Sequence, residues 1–274
     1  MTRSRSLWLA AGAGLALASF SWTLATQPSP FLPVLVVLAW SGVIRWGTQH
    51  AELHRLQPTP VSALLGMAVA GGVVGVMHLS RPTSLAYALP FGMGLAMALT
   101  ALPLKQFRQV VQPLVLLLIP LLPLLLRGLL PESLLAPATA AASALMLQLL
   151  GVEALGLGQH LLIGDSGVRV AGACGGTEDI AFLVAIALLL ALTQPPFLGR
   201  RLGALLLLAP VLGFVTNAMR VAVLALAVQQ GGWWQQQVFP SLHEGYGSLF
   251  FSVGAVVALL GVDGLFRPSC TPRS

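Results

Sequence analysis

The chain has 274 residues, 57% of them apolar and 8% charged, with a formal charge of +6 and a mean hydropathy of +0.88. An ordinary soluble domain carries roughly 25% charged residues, so composition excludes a soluble fold and indicates an all-α polytopic membrane protein read as one integral membrane domain over 1–274. The basic residues stand in ones and twos at the ends of apolar runs, as topology-setting charges do, and not as a nucleic-acid surface.

A bilayer core about 30 Å thick needs about 20 apolar residues per helix. Apolar runs predict helices at about 7–25, 31–46, 62–79, 85–103, 109–127, 134–151, 177–194, 202–220 and 246–264. The first also fits a cleaved signal peptide, whose removal leaves every later segment facing the same way.

The positive-inside rule then orders the spans. Arg3 and Arg5 put the N-terminus in the cytoplasm, Arg45 with Arg55 mark the second loop, and Lys105 with Arg108 the fourth. Arg200 with Arg201, and the tail with Arg267 and Arg273, join them only if 134–151 does not cross. That Ala-rich segment, preceded by Pro131 and Glu132, is expected to lie at the outer interface, leaving about eight transmembrane helices. Arg81, Arg127, Arg169 and Arg220 then fall outside, together with Glu132, Glu153, Asp165, Glu178, Asp179 and Glu244. Pro113, Pro120 and Pro123 read as kinks satisfied by neighbouring helices, and Gly71, Gly72 and Gly75 as close helix packing.

Beyond the interfacial helix, Leu161–Ile163 and Val168–Val170 flank a Gly-Asp-Ser-Gly turn, which predicts a short extracytoplasmic β-hairpin. The stretch "VAGACGGTEDIAF" follows. Cys174 precedes Gly175 and Gly176, then Thr177 as the expected N-cap, with Glu178 and Asp179 in the first helical turn. A cysteine before a helix N-terminus has its thiolate favoured by the dipole, and two glycines let backbone N–H groups approach a ligand as an oxyanion hole requires. The acids act against the thiolate, so a cation is needed.

Arg220 supplies one. It lies 18 residues beyond Leu202, about 27 Å along a helix entering from the cytoplasm, which reaches the outer edge of the core, and Asn217 shares its face. An ionisable residue inside an apolar run marks a functional site by default. After Gly231-Gly232-Trp233-Trp234, suited to the interface, His243 precedes the last span. A thiol, an imidazole and a guanidinium at one depth are the parts needed for acyl transfer through a thioester.

"ACGG" opening one span, "NAMR" in the next and "HEGYG" before the last, in this order over residues 149–262, resemble the exosortase/archaeosortase family of membrane cysteine transpeptidases. The resemblance implies cleavage of C-terminal sorting signals of exported proteins, each a Pro-Glu-Pro-like motif, a transmembrane helix and a basic tail, in a bacterial inner membrane. It implies Cys174 as nucleophile, His243 as general acid/base and Arg220 as stabiliser, with Asn217, Gly175 and Gly176 in support. Membrane lipid surrounds the site, and the acyl acceptor is water, a lipid or a glycan. The chain departs from the usual pattern at Gly175, commonly serine, and in its acidic helix start.

Taken singly, each residue also has a plainer reading: Cys174 as apolar filler, Arg220 as an ion-pair partner of Glu178 or Glu244, and His243 as an interfacial anchor. His78 and His160 are rival bases, and Cys270 falls in the cytoplasmic tail. No cofactor is called for, and no His, Asp or Glu pair has metal-ligand spacing on one helix. The competing function is a transporter or channel with Arg220 and the nearby acids along its path, against which no paired repeat of broken helices is found.

Overall fold

The architecture comes from a computed structural model that describes residues 3–26, 29–50, 52, 57–79, 83–194, 199–243 and 247–266. Arg55, Arg81, Arg267, Arg273, Cys270 and the Glu244-Gly245-Tyr246 part of the last motif lie outside the described residues. Helices dominate, and two compact units divide the chain, 1–124 and 125–274. The 149–262 segment falls in the second.

In the first unit α1 (Arg3–Thr26), α2 (Leu32–Gln49), α3 (Pro60–Leu79), α4 (Thr83–Ala101) and α5 (Val111–Leu118) pack as α1 on α2 and α4, α3 on α4, and α5 on α2 and α4. Small residues bring them close. A side chain at Gly66 would strike the backbone of Thr100, and one at Gly94 the side chain of Leu117. A 3₁₀ turn at Ile119–Leu121, with Pro120 at its start, interrupts the helical run between α5 and α6 (Leu122–Leu129), so the expected proline distortion is present there.

The second unit continues with α7 (Glu132–Leu149), strands β1 (Ala154–Leu157), β2 (His160–Ile163) and β3 (Ser166–Arg169), then α8 (Thr177–Thr193), α9 (Arg200–Gln230), α10 (Phe239–His243) and α11 (Gly247–Leu265). The strands form an antiparallel sheet in the order β1-β2-β3, with Ile163 paired to Ser166 across a two-residue turn. One hairpin was expected, so β1 is additional. Its sequence, Ala-Leu-Gly-Leu, has no β-branched residue to announce a strand. Packing makes it one: a side chain at Gly156 would come within 2.8 Å of the Ala141 backbone, so glycine lets β1 lie directly on α7.

Under the sheet, Ala136, Ala140, Ala144 and Leu147 of α7 meet Leu161 and Ile163 of β2 and Val221, Ala222, Leu224 and Ala225 of α9. The α7 positions recur at helical spacing, and its opposite face is exposed at Leu134, Leu145 and Leu149.

Among the described residues five helical segments are long and apolar enough to cross a membrane: Pro60–His78, Ser84–Ala101, Leu104–Leu129, Arg200–Gln230 and Gly247–Leu265. Helix α8, with 17 residues, is shorter than these. Helix α9 runs 31 residues, about 46 Å, so it continues well past Arg220, where the apolar run had suggested an end. It stops at Gly231 and Gly232, both with positive φ, and the chain resumes in a π-helical turn at Trp234–Val238 that leads into α10.

Helices α8 and α9 are antiparallel neighbours. Gly176 faces Asn217, Gly213 faces Ile180 closely enough that a Cβ would lie 2.6 Å from its Cα, and Arg201 bonds the carbonyls of Leu190 and Gln194. Helix α11 runs parallel to α8, joined to it by Ser252 and Asp179 at one end and to α9 by Asp263 and Arg201 at the other.

Candidate active site

Gly172–Gly175 form a 3₁₀ turn that delivers the chain into α8. Gly172, at φ 56, donates its N–H to Glu132 Oε1 at 2.5 Å, and Thr139 Oγ1 donates to the carbonyl of Gly175 at 3.3 Å, so α7 grips the turn at both ends. Cys174 sits between them, 5% exposed and part of the apolar core beneath the sheet. Gly176, at φ 95, is the residue that caps α8.

Thr177, expected as the cap, stands instead at the first helical position, and its hydroxyl donates to the carbonyl of Leu130 at 3.4 Å. Left-handed backbone at the cap is natural to glycine, and the close approach of Asn217 leaves no room for threonine there.

Four of the residues picked out by sequence meet at this turn. Cys174 Sγ lies 3.2 Å from His243 Nδ1. Asn217 Nδ2 donates to the carbonyl of Cys174 at 2.8 Å, and its Oδ1 accepts from Arg220 Nη2 at 2.9 Å. Asn217 is therefore the bracket between the cysteine backbone and the guanidinium. His243, at the end of α10, stacks on Phe239 with ring centroids 5.1 Å apart, which fixes the plane of the imidazole. His160 is exposed at the start of β2, and His78 lies near the end of α3 in the first unit.

Arg220, 1% exposed, pairs with Asp179 at 3.6 Å, whereas Glu178 pairs with Arg127. Of the two partners anticipated for Arg220, Glu178 is thus engaged with another arginine and Glu244 lies outside the described residues. Asp179 is the partner the sequence reading missed, because an acid in the first turn of a helix already has a reason to be there. Its other oxygen accepts from Ser252 of α11 at 3.0 Å.

The electrostatics of the thiol follow from this shell. Burial pushes the Cys174 thiol above its ordinary range, the Arg220 guanidinium opposes that by its charge and by a hydrogen bond, and the Asp179 carboxylate adds to the rise. A cavity of about 360 Å³ lies beside the turn, lined by Arg127, Leu130, Glu132, Gly172, Thr177 and Glu178, two of which bracket Cys174 in sequence. Among the described residues no three His, Cys, Asp or Glu side chains cluster as a metal site would need.

A sulfur in contact with an imidazole, a guanidinium within reach and a helix N-terminus behind them can form and stabilise an acyl-thioester. No curated protein and no solved structure matches the chain. The family model described as transmembrane exosortase matches residues 22–260, a range that takes in the cysteine turn, the asparagine and arginine of α9 and the histidine of α10. With most of its length matched and apolar helices on both sides of the site, the chain belongs to the transmembrane exosortase family.

Proposed function

We propose that the protein is a membrane cysteine peptidase or transpeptidase that removes C-terminal sorting signals from exported proteins. The observation that carries the reading is the 3.2 Å contact between Cys174 Sγ and His243 Nδ1, in the shell where Asn217 ties the cysteine carbonyl to Arg220.

In the first step the thiol proton passes to His243 Nδ1 as sulfur attacks the scissile carbonyl. Arg220 and N–H groups of the Gly175-Gly176 turn face the oxyanion. Collapse of the tetrahedral species breaks the C–N bond, His243 returns the proton to the departing amine, and the substrate remains bound as a thioester to Cys174. An acceptor then delivers a nucleophile to the thioester, its proton passing to His243 and on to sulfur. Water gives a protease; an amine or hydroxyl of a lipid or glycan gives a transpeptidase.

The substrates are exported proteins ending in a short motif, a transmembrane helix and a basic tail. The chain spans the inner membrane about eight times with both termini cytoplasmic and the site outside. Support for this orientation is the basic residues grouped at the predicted cytoplasmic ends and the acids at the other.

The test is Cys174→Ala, with the size of such a substrate followed in cells. The expected result is accumulation of substrate that keeps its C-terminal helix; normal removal of that helix overturns the reading.

A further inference from the structure

Beside the thiol, the mechanism above leaves one buried ionisable group without a task. Asp179 is 1% exposed, accepts from Ser252 through Oδ1 at 3.0 Å and holds Oδ2 at 3.6 Å from Arg220 Nη2. That same Nη2 donates to Asn217, whose amide in turn donates to the Cys174 carbonyl, so the guanidinium stands beside the cysteine. One buried cation thus serves two groups that can carry negative charge, the carboxylate and the sulfur.

The carboxylate does not close on it. A charge-assisted N–H···O⁻ contact is about 2.7–2.9 Å; the separation here is longer, and Ser252, itself 1% exposed on another helix, bonds the opposite oxygen.

We propose that Asp179 is a positioning residue that competes with the Cys174 sulfur for the Arg220 guanidinium, and that Ser252 limits how closely it approaches. The inference rests on Cys174 being the nucleophile and adds what governs its readiness. With Asp179 in place the cation is shared, and the buried sulfur rests as a thiol. A substrate carbonyl entering between sulfur and guanidinium brings the developing oxyanion to the same cation.

Two substitutions then act in opposite directions. Asp179→Asn removes the competing charge and leaves Arg220 to the sulfur. Ser252→Ala releases the carboxylate to close on Arg220 and draws the cation away. The charged and titratable groups around the thiol are Arg220 on α9, Asp179 on α8 and His243 on α10; Glu132 of α7 is bound to the Gly172 amide, and Glu178 to Arg127 of α6. All except Asp179 are unchanged in both variants, and Asp179 keeps its carboxyl group in Ser252→Ala.

The experiment is the rate of Cys174 alkylation by iodoacetamide as a function of pH, on full-length protein in detergent with Cys270→Ser as background. Asp179→Asn is expected to move the profile to lower pH and raise the rate at neutral pH about tenfold, the low end of what a neighbouring charge does to a titrating group. Ser252→Ala is expected to move it to higher pH. Unmoved profiles, or movement of both variants in one direction, overturn the proposal.

Should Asp179→Asn not fold, Ser252→Ala decides alone, with a profile at or below the parent's pH counting against it. Alkylation needs no substrate. Its outcome is therefore separate from that of Cys174→Ala on processing, which tests the nucleophile itself.

Discussion

Two adjacent glycines at the cysteine turn give opposite predictions. At Gly176 a methyl group meets two obstacles. The backbone is left-handed at φ 95, which costs an L residue roughly 1–2 kcal/mol. The new Cβ would also lie 2.8 Å from Asn217 Nδ2 and 3.3 Å from its Cγ, so the amide must move. Moving it breaks the 2.8 Å bond to the Cys174 carbonyl and leaves buried groups unpaired, a further cost of about 1–3 kcal/mol. The sum, about 2–5 kcal/mol, is large against a typical domain stability of 5–15 kcal/mol. Because Asn217 also holds Arg220, the fold that survives has a displaced guanidinium, and an error of about 1 Å in a catalytic group costs on the order of a hundredfold in rate.

Gly175 has no such constraint: its φ is ordinary, and a Cβ would meet only the Glu132 side chain at 3.4 Å. Gly175→Ser, which installs the residue common in the family, is expected to change stability by less than about 0.5 kcal/mol and to leave processing near the parent's. Thermal unfolding in detergent and substrate processing in cells read both variants. Parent-like processing by Gly176→Ala, or equal damage from Gly175→Ser, would refute the reasoning.

Two further substitutions test the frame around the turn. Arg220→Lys keeps the charge but removes the planar guanidinium that donates to Asn217 beside Asp179, so processing is expected to fall by about ten- to a hundredfold with little loss of thermal stability; unchanged turnover would show that a point charge suffices. Asp263→Ala strips the carboxylate from a buried Arg201 at the far end of α9 and is expected to cost about 3–5 kcal/mol, read as a lower unfolding midpoint in detergent. A midpoint equal to the parent's would mean that the Leu190 and Gln194 carbonyls alone satisfy the guanidinium.

The residues that meet at the turn were legible because each is conspicuous against an apolar background. Cys174 breaks the chain with its glycines, Arg220 is a charge deep in a hydrophobic run, Asn217 shares its helical face, and His243 stands just before a span. Helical rise alone was enough to carry Arg220 about 27 Å from Leu202 and so toward the end of α8 that bears the thiol.

What stayed hidden depends on rotation and contact instead of depth. Asp179 and Glu178 are neighbours in one helical turn, and only the azimuth of α8 decides that the first faces Arg220 and the second Arg127. Ser252 is one small polar residue in an apolar run and becomes informative only when α11 is laid against α8. Strand β1 has no strand-forming sequence and exists through the contact that Gly156 permits with α7. The true length of α9 was hidden too, because its apolar pattern continues past Arg220 without a charge to mark where it leaves the apolar layer.

The two arginines of α9 explain why the turn can be held so firmly. Arg201 and Arg220 are 19 residues apart, about 28 Å along the helix, close to the thickness of a bilayer core. At one end Arg201 gathers the last carbonyls of α8 and Asp263 of α11; at the other Arg220 gathers Asp179 of α8, which is itself bound to Ser252 of α11. Three helices are thus joined twice, through polar groups at both ends of an otherwise apolar bundle. In hydrocarbon, apolar side chains give helices little reason to prefer one axial register over another. Buried charge pairs do, because slipping α8 by one residue, about 1.5 Å, would break contacts at both ends at once. The cysteine turn is attached directly to the N-terminus of α8, so its distance from His243 inherits that register.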